Sequence, residues 1–248
     1  MSAAGVAVLD VRGVTVRFGG LTAVAGVDLV VRAGETVGLI GPNGAGKTTL
    51  FNVITGALRP DAGTVHLLGQ RIDGLRPSAV ARRGLRRTYQ IVRPFANLSV
   101  LDNVLLGSMF SSSAGRGAAA PRERAGEMLA MVGLADKRDL LARDLNLAEK
   151  KKLDLARALA ADPSVLLLDE VLAGLNPTEI DRSLDLLERL HVARGGTIVM
   201  VEHVMRAIMR ISHRVVVLHH GEKIADGPPQ TVARDPRVIE AYLGEPIA

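Results

Sequence analysis

The sequence predicts an α/β fold in a single domain over residues 1–248, and three observations predict it. Short β-branched runs separated by glycines precede residue 41, which indicates an antiparallel β subdomain at the N-terminus. Continuous apolar runs interleaved with helical patterns fill the later part, as is typical of a parallel sheet covered on both faces. Between these regions, residues 91–161 carry helical patterns and are predicted to form a helical insert in the α/β core.

The elements before the insert are predicted to be mostly strands. The predicted strands are Val6–Val11, Val14–Phe18, Val27–Val31, Thr36–Ile40, and a pair at Val65–Leu68 and Ile72. Turns are expected at Gly13, Gly19-Gly20 and Gly26, between the first three strands. A helix is predicted over Lys47–Thr55, because Gly56 follows it in a position that ends helices.

The insert and the second half of the core follow from the same patterns. The predicted helices of the insert are Val100–Phe110, Arg122–Val132 and Glu149–Ala161. The small residues of Ser111–Ala120 predict a flexible loop between the first two helices. The predicted strands beyond the insert are Val165–Leu168, Thr197–Val201 and Val215–Leu218, with a helix around the apolar stripe from Ile180 to Leu190.

Composition limits the possible functions without choosing among them. The chain of 248 residues has no cysteine, which excludes disulfides, thiolate metal sites and cysteine catalysis. The net charge of +5 suits nucleotide phosphates, nucleic acid or an anionic membrane surface equally. No apolar run approaches the ~18–20 residues of a spanning helix, and Met1–Asp10 lacks the pattern of a signal peptide. We therefore expect a soluble, cytoplasmic protein that meets a membrane only through partners.

A phosphate-binding loop is the strongest functional signal. The residues GPNGAGKT, from Gly41 to Thr48, fit the pattern G-x-x-x-x-G-K-[ST] between a predicted strand and a predicted helix. Backbone N–H groups of such a loop and of the helix N-terminus bind phosphate, while Lys47 reaches the β- and γ-phosphates and Thr48 ligates Mg²⁺. The alternative, a glycine-rich turn with a chance lysine, is disfavoured by this context.

A pair of carboxylates ends the strand Val165–Leu168. Asp169 and Glu170 would lie at the carboxyl edge of the sheet, where ligands of such sheets bind. Adjacent strand residues point to opposite sides, so that Asp169 is expected to hold Mg²⁺ and Glu170 to polarise the attacking water. An apolar run that ends in two acids is often only a strand end, and the phosphate-binding loop is what favours function here.

Two further polar residues remain open from their positions alone. His203 follows the strand Thr197–Val201 and either begins a helix or senses the γ-phosphate. Gln90, where the α/β core gives way to the insert, is by itself most simply a surface residue. Lys150, Lys151 and Lys152 predict a solvated helix face, with the approach of one of them to phosphate as the alternative.

These motifs, in this order, resemble the ATP-binding subunits of ABC transporters over essentially the whole chain. The resemblance implies a P-loop NTPase fold, ATP and Mg²⁺ as ligands, and ATPase activity. It implies nucleotide contacts from Phe18, Gly41, Pro42, Asn43, Gly44, Ala45, Gly46, Lys47, Thr48 and Thr49, and metal contacts from Thr48, Gln90 and Asp169. It also assigns catalytic roles to Lys47, Gln90, Glu170 and His203. Phe18 would stack on adenine, although its own surroundings in the sequence favour a core residue.

Two stretches depart from the family pattern. The family's signature loop commonly has the sequence LSGGQ and caps ATP held by the opposite subunit of a head-to-tail dimer. Here Leu145–Glu149 has the sequence LNLAE, in which Asn146 replaces the serine, Ala148 replaces a glycine, and Asn146, Ala148 and Glu149 are expected to contact that nucleotide. An asparagine amide still donates a hydrogen bond, and alanine is acceptable if its φ is negative. Asn176 stands where the family's D-loop usually has aspartate.

The departures resemble one subgroup, the longer ATP-binding subunit of branched-chain amino acid importers. The strings VLLLDEVLAGLNPTE, LRRTYQIVRPFANLSVLDNV and DPRVIEAYLGE carry this resemblance. It implies a second ATP-binding subunit, two membrane permeases and a solute-binding protein as partners, on the cytoplasmic side of the bacterial inner membrane. Related subgroups import urea, short amides or other amino acids, and no nucleic-acid partner is expected.

Three alternatives remain. A soluble ABC-type ATPase of DNA repair would carry a long coiled-coil insertion, for which the interval between the phosphate-binding loop and Leu145–Glu149 is too short. Those acting on ribosomes usually carry two cassettes, and this chain has one. A different P-loop enzyme, such as a small-molecule kinase, would leave the insert and His203 without a role. The ATPase of an ABC exporter is excluded only weakly. The basic pairs Arg82-Arg83 and Arg86-Arg87 lack interleaved aromatics, so that docking or solvation is expected there rather than nucleic-acid binding.

Overall fold

The computed structural model describes residues 5–110 and 120–243, and within them the chain forms two sheets. The smaller sheet is antiparallel, with the strand order β2-β1-β4-β5. Its strands are β1 (Ala7–Phe18), β2 (Leu21–Arg32), β4 (Ala62–Leu67) and β5 (Gln70–Arg71). This is the antiparallel unit that the sequence predicted at the N-terminus.

The first hairpin is longer than predicted, because two of the expected turns are irregularities inside strands. Gly13 has a φ of +54° and lies within β1, where the pairing with β2 shifts between Val11 and Val14. Gly26, with a φ of +62°, lies likewise within β2. Glycine allows a strand to bulge and continue, so that a glycine between apolar runs does not by itself mark a turn.

The larger sheet has the strand order β10-β9-β3-β8-β7-β6. Its strands are β3 (Thr36–Ile40), β6 (Leu85–Arg87), β7 (Val165–Asp169), β8 (Thr197–Val201), β9 (Arg214–His219) and β10 (Glu222–Gly227). All neighbours pair in parallel except β9 and β10. The edge strands β6 and β10 were not predicted, because β6 has only three residues and both strands are rich in charged side chains.

Helices cover the larger sheet and build the insert. In the described residues they are α1 (Lys47–Ile54), α2 (Pro77–Arg82), α3 (Val100–Ser108), α4 (Pro121–Val132), α5 (Leu147–Ala160), α6 (Pro177–Arg194), α7 (Met205–Ile211), α8 (Pro229–Val232) and α9 (Pro236–Leu243). None of these helices is long and apolar enough to cross a membrane. The loop predicted over Ser111–Ala120 lies outside the described residues except for Ala120.

Two apolar clusters hold the strand β7 from opposite sides. Leu166 and Leu168 belong to the cluster shared with α3, α4 and α5, whereas Val165 and Leu167 belong to the cluster shared with α1 and the antiparallel sheet. Replacing one such buried leucine by alanine typically costs about 2–5 kcal/mol. Because both faces of β7 are packed, the position of Asp169 at its end is fixed by the core.

Candidate nucleotide-binding site

The phosphate-binding loop packs closely against strands of both sheets. Gly41 follows β3 with a φ of +150°, and a Cβ atom there would overlap the carbonyl oxygen of Leu218 on β9. Gly46, with a φ of +99°, packs in the same way against the carbonyl oxygen of Ala23 on β2. The loop therefore requires glycine at both ends, and its course is set by strands from both sheets.

Lys47 begins α1 and points back into the loop. Its side chain donates from Nζ to the carbonyl oxygens of Gly41 at 2.7 Å and Pro42 at 2.9 Å, and the residue is only 6% exposed. Burial lowers the pKa of Lys47, and the carboxylates of Glu170 and Asp169 oppose that shift. Among the described residues, no carboxylate pairs directly with this ammonium group at the phosphate-binding loop.

Three polar side chains that the sequence assigned to Mg²⁺ border one cavity. Thr48, Gln90 and Asp169 line an open cavity of about 980 Å³ between the core and the helical insert. A hydroxyl, an amide and a carboxylate offer the oxygen ligands that Mg²⁺ prefers, so that these residues fit the ion. Within the described residues no group of three or more His, Cys, Asp and Glu side chains assembles. Phosphate oxygens would therefore have to supply much of the coordination.

Glu170 brings two distant side chains together. Its Oε2 accepts a hydrogen bond from Nε2 of Gln90 at 2.6 Å, and its Oε1 lies 2.9 Å from Nε2 of His203. The backbone of Glu170 has a φ of +49°, and its N–H donates to the carbonyl oxygen of Val201 at 2.9 Å. The positive φ turns the carboxylate out of β7 toward those two partners. Position in the sequence left Gln90 and His203 open, and the fold places both at the candidate general base.

The structure corrects the expectation of docked or solvated arginines at one basic pair. Arg86 is half-buried and donates to the carbonyl oxygens of Ala81 and Phe110, the latter at 2.7 Å. Arg87 is buried and donates to Oδ2 of Asp169 at 2.5 Å. Both side chains turn inward because β6 pairs with β7 and brings them against the core. The only signal in the sequence was their position directly before Thr88 and Gln90.

A buried glutamate beside His203 was also missed. Glu202 is 3% exposed, and its Oε1 accepts the backbone N–H of Leu172 at 2.7 Å. Burial raises the pKa of Glu202 from 4.5 to about 7, against the opposing effects of the Leu172 and His203 N–H groups and of Lys151. The carboxylate thus ties the turn after β8 to the turn after β7.

The lysines at the start of α5 do not form the uniformly solvated face that was expected. Lys151 is half-buried, and its Nζ donates to the carbonyl oxygen of Glu170 at 3.3 Å. Lys150 donates to the carbonyl oxygen of Arg143 at 3.1 Å. The helix after the signature-like loop is therefore attached to the strand end that carries the candidate base.

The two departures from the family pattern are helix caps. Asn146 caps α5: its Oδ1 accepts the N–H of Glu149 at 2.9 Å, and the Glu149 carboxylate accepts the N–H of Asn146. Asn176 forms the same reciprocal pair with Glu179 at the start of α6. Ala148 lies in α5 and is not among the residues of positive φ, which meets the condition set for alanine there.

The structure also places two aromatic residues. Phe18 ends β1 and is 52% exposed, so that it is not the core residue its sequence surroundings favoured. Tyr242 on α9 approaches the phosphate-binding loop: burial raises the pKa of its hydroxyl, and the backbone N–H of Gly41 opposes that shift. No pattern in the sequence pointed to Tyr242.

Comparison with known proteins identifies the family. Residues 24–173 match the ABC transporter family, and residues 222–248 match the family described as branched-chain amino acid ATP-binding cassette transporter. The chain is 39% identical over 250 residues to the high-affinity branched-chain amino acid transport ATP-binding protein BraF of Pseudomonas aeruginosa, covering 96% of this chain and 98% of that protein.

Solved structures show the same fold. The ADP conformation of MJ1267, an ATP-binding cassette of an ABC transporter, superposes with a TM-score of 0.86 at 29% identity, covering 97% of this chain and all of that one. The dimeric post-hydrolysis state of the ATP-binding cassette MJ0796, bound to ADP and Pi, gives a TM-score of 0.76 at 26% identity, covering 89% of this chain and 98% of that one. With its phosphate-binding loop, its two sheets and its helical insert, this chain belongs to the ABC transporter family of ATP-binding proteins.

Proposed function

We propose that this chain is the ATP-hydrolysing subunit of an ABC importer for branched-chain amino acids or chemically related solutes. The observation that carries the proposal is the convergence of Gln90, Glu170 and His203 beside the phosphate-binding loop of Lys47. The match of the C-terminal residues 222–248 and the similarity to BraF support the solute class. Other amino acids, urea and short amides remain within the proposed range.

The roles of the residues follow from what each side chain can do. The backbone N–H groups of the loop from Gly41 to Thr49, apart from Pro42, which has none, and the ammonium group of Lys47 bind the phosphates. Phe18 stacks on adenine at the exposed end of β1. Glu170 accepts the proton of the attacking water, while Gln90 and His203 orient the two carboxylate oxygens of Glu170. When bound, Mg²⁺ would be held by Thr48, Gln90 and Asp169 and would neutralise charge on the phosphates.

A second ATP-binding subunit is part of the proposal. The loop Leu145–Glu149 would present Asn146, Ala148 and Glu149 to the nucleotide of that partner, as the family resemblance implies. The dimeric state of the related cassette MJ0796 supports a pair of such subunits. The site on Lys47 would in turn borrow the partner's loop. Because the loop of this chain is altered, a homodimer would carry the altered loop in both sites and hydrolyse slowly. A non-identical partner with the usual loop would make the two sites unequal.

The membrane permeases are proposed to dock at the cavity beside Gln90. Tyr89, Ile91 and Phe95 are large apolar residues that line this cavity and are at least half exposed. Exposed apolar residues grouped in a groove are typical of an interaction site. Since Gln90 contacts Glu170, a permease segment here would lie next to the catalytic carboxylate. The chain would then act at the cytoplasmic side of the cell membrane, with a solute-binding protein as an indirect partner.

Native co-purification tests the proposal. The tagged chain, extracted from membranes in mild detergent, is expected to bring two permeases and a second ATP-binding subunit, identified by mass spectrometry. Cells that depend on this chain should take up labelled leucine, and Lys47→Ala should abolish the uptake while the complex still assembles. Recovery from the soluble fraction with ribosomes or nucleic acid would contradict transport. Assembly with permeases but normal leucine uptake in the variant would contradict only the solute.

A further inference from the structure

Arg87 and Asp169 form a buried ion pair at the proposed metal site. Nη2 of Arg87 lies 2.5 Å from Oδ2 of Asp169, and the two side chains are 6% and 8% exposed. Nη1 of Arg87 donates to Oδ1 of Asn52 at 2.7 Å. The guanidinium group also lies over the rings of Phe51 and Tyr89, 5.4 Å and 5.1 Å from their centres. Besides its carboxylate partner, Arg87 is thus held in place by two residues of α1 and by the ring of Tyr89.

A metal ion bound at Asp169 would be a second cation beside a carboxylate that Arg87 already neutralises. An arginine side chain stays charged at every pH that proteins tolerate, and a buried carboxylate is stable only while a partner neutralises it. Asp169 has such a partner from its own chain. A divalent ion that approaches Oδ2 of Asp169 therefore has to displace the guanidinium group or tolerate its repulsion.

The rest of the site offers few ligands to a free metal ion. The described residues contain no cluster of three or more His, Cys, Asp and Glu side chains that could hold a metal. Mg²⁺ is commonly held by one or two carboxylates together with phosphates of the substrate. In addition, Nε of Arg87 is buried and finds no hydrogen-bond partner among the described residues. The Nε–H of Arg87 is therefore available to an acceptor in another orientation of the side chain, at the cavity that Arg87 lines together with Thr48 and Gln90.

We propose that Arg87 is the resident counter-ion of Asp169, which excludes free divalent cations from the nucleotide-free site and makes metal binding conditional on nucleotide phosphates. The inference rests on the proposed role of Asp169 as a ligand of Mg²⁺. Phosphates add the negative charge that the second cation needs, so that metal and nucleotide bind together. Arg87 acts here as a positioning residue on the metal ligand and does not touch the reacting atoms.

Mn²⁺ binding measured by electron paramagnetic resonance tests the proposal without any need for hydrolysis. Mn²⁺ is titrated into the purified full chain with and without ATP. Wild-type protein is expected to bind Mn²⁺ strongly only with ATP. The neutral variants Arg87→Met and Arg87→Gln should bind Mn²⁺ without nucleotide at least about tenfold more tightly than wild type. Arg87→Lys keeps the cation and should stay close to wild type, and so should Arg83→Met, which removes an exposed arginine nearby.

Neutral variants that fold and bind no more Mn²⁺ than wild type would overturn the proposal. If neither folds, the wild-type chain decides: Mn²⁺ affinity without ATP equal to that with ATP overturns it, and weaker affinity supports it. Failure of the proposed function would give a different experimental result. Wild-type protein whose ATP binding is indifferent to Mn²⁺ would contradict the metal role of Asp169 itself, whatever Arg87 does.

Discussion

The end of strand β7 and the start of helix α5 satisfy their polar groups in opposite ways. At β7, Asp169 and Glu170 are bound by Arg87, Gln90 and His203, all of which come from other elements. At α5, Asn146 and Glu149 satisfy each other across three residues of a local cap. The first arrangement exists only in the folded chain. The reciprocal cap at α5 is local, and only the further contact of Glu149 with Lys137 comes from outside the helix among the described residues. The cap hydrogen bonds therefore follow from residues three apart in the chain, whereas the contacts at β7 require the sheet to form.

The largest effect is expected at β7, from Glu170→Gln. The amide keeps the shape of the side chain and cannot accept a proton, so that ATP turnover should fall by about 10²–10⁴-fold. ATP binding should persist and the closed dimer should accumulate, which a fluorescent ATP analogue and gel filtration would detect. Glu222→Gln, on the exposed edge strand β10, is the control. Turnover that survives in Glu170→Gln would show that another group is the base.

A substitution in the phosphate-binding loop should act on stability next. Gly41→Ala would place a Cβ atom against the carbonyl oxygen of Leu218, and the backbone conformation there is unfavourable for alanine. The substitution should lower the free energy of unfolding by about 3 kcal/mol or more. Gly69 also has a positive φ, of +76°, but a Cβ there would meet no atom of the described residues within 4 Å, so that Gly69→Ala should cost about 1 kcal/mol. Urea unfolding measures both variants. Equal losses would mean that the contact with β9 does not shape the loop.

The pH dependence of stability should report Glu202. Its pKa is raised from 4.5 to about 7 in the folded chain, so that the folded state binds the proton more tightly than the unfolded state. Stability should therefore fall between about pH 4.5 and pH 7, by about 3 kcal/mol in total, and change little from this group above pH 7.

Glu202→Gln removes this ionisation while its amide oxygen can still accept the N–H of Leu172. The variant should gain stability over wild type as the pH rises from 5 to 8, in urea unfolding at each pH. Glu240→Gln, at an exposed position on α9, serves as the control and should show no such trend. Parallel pH profiles for Glu202→Gln and wild type would contradict burial as the cause of the shift.

The smallest effect on stability is expected at α5. Asn146→Ser keeps a good helix cap and should change the free energy of unfolding by less than about 0.5 kcal/mol, whereas Asn146→Ala should cost about 1 kcal/mol. If the altered loop limits hydrolysis, Asn146→Ser should also raise the ATP turnover of the isolated chain. Vigorous turnover by the wild-type chain at low protein concentration would contradict the idea that its own loop is slow.

The sequence determined the features that depend on local chemistry. The glycine pattern around Lys47 and the apolar strand before Asp169 follow from backbone and burial requirements within a few residues of the chain. Such patterns also predicted the order of the main strands and the helical insert. The family resemblance came from the same motifs, which is why it named Gln90 and His203 where their own positions left two readings open.

Only the tertiary structure decided which charges meet. Arg87 looked like part of a basic surface and is instead the buried partner of Asp169, because a short, charged strand pairs with β7. Glu202 carries no sign in the sequence of its burial or of the N–H that it accepts from Leu172. Electrostatic effects of this kind depend on distance and burial between elements far apart in the chain, and those quantities exist only once the sheet has formed.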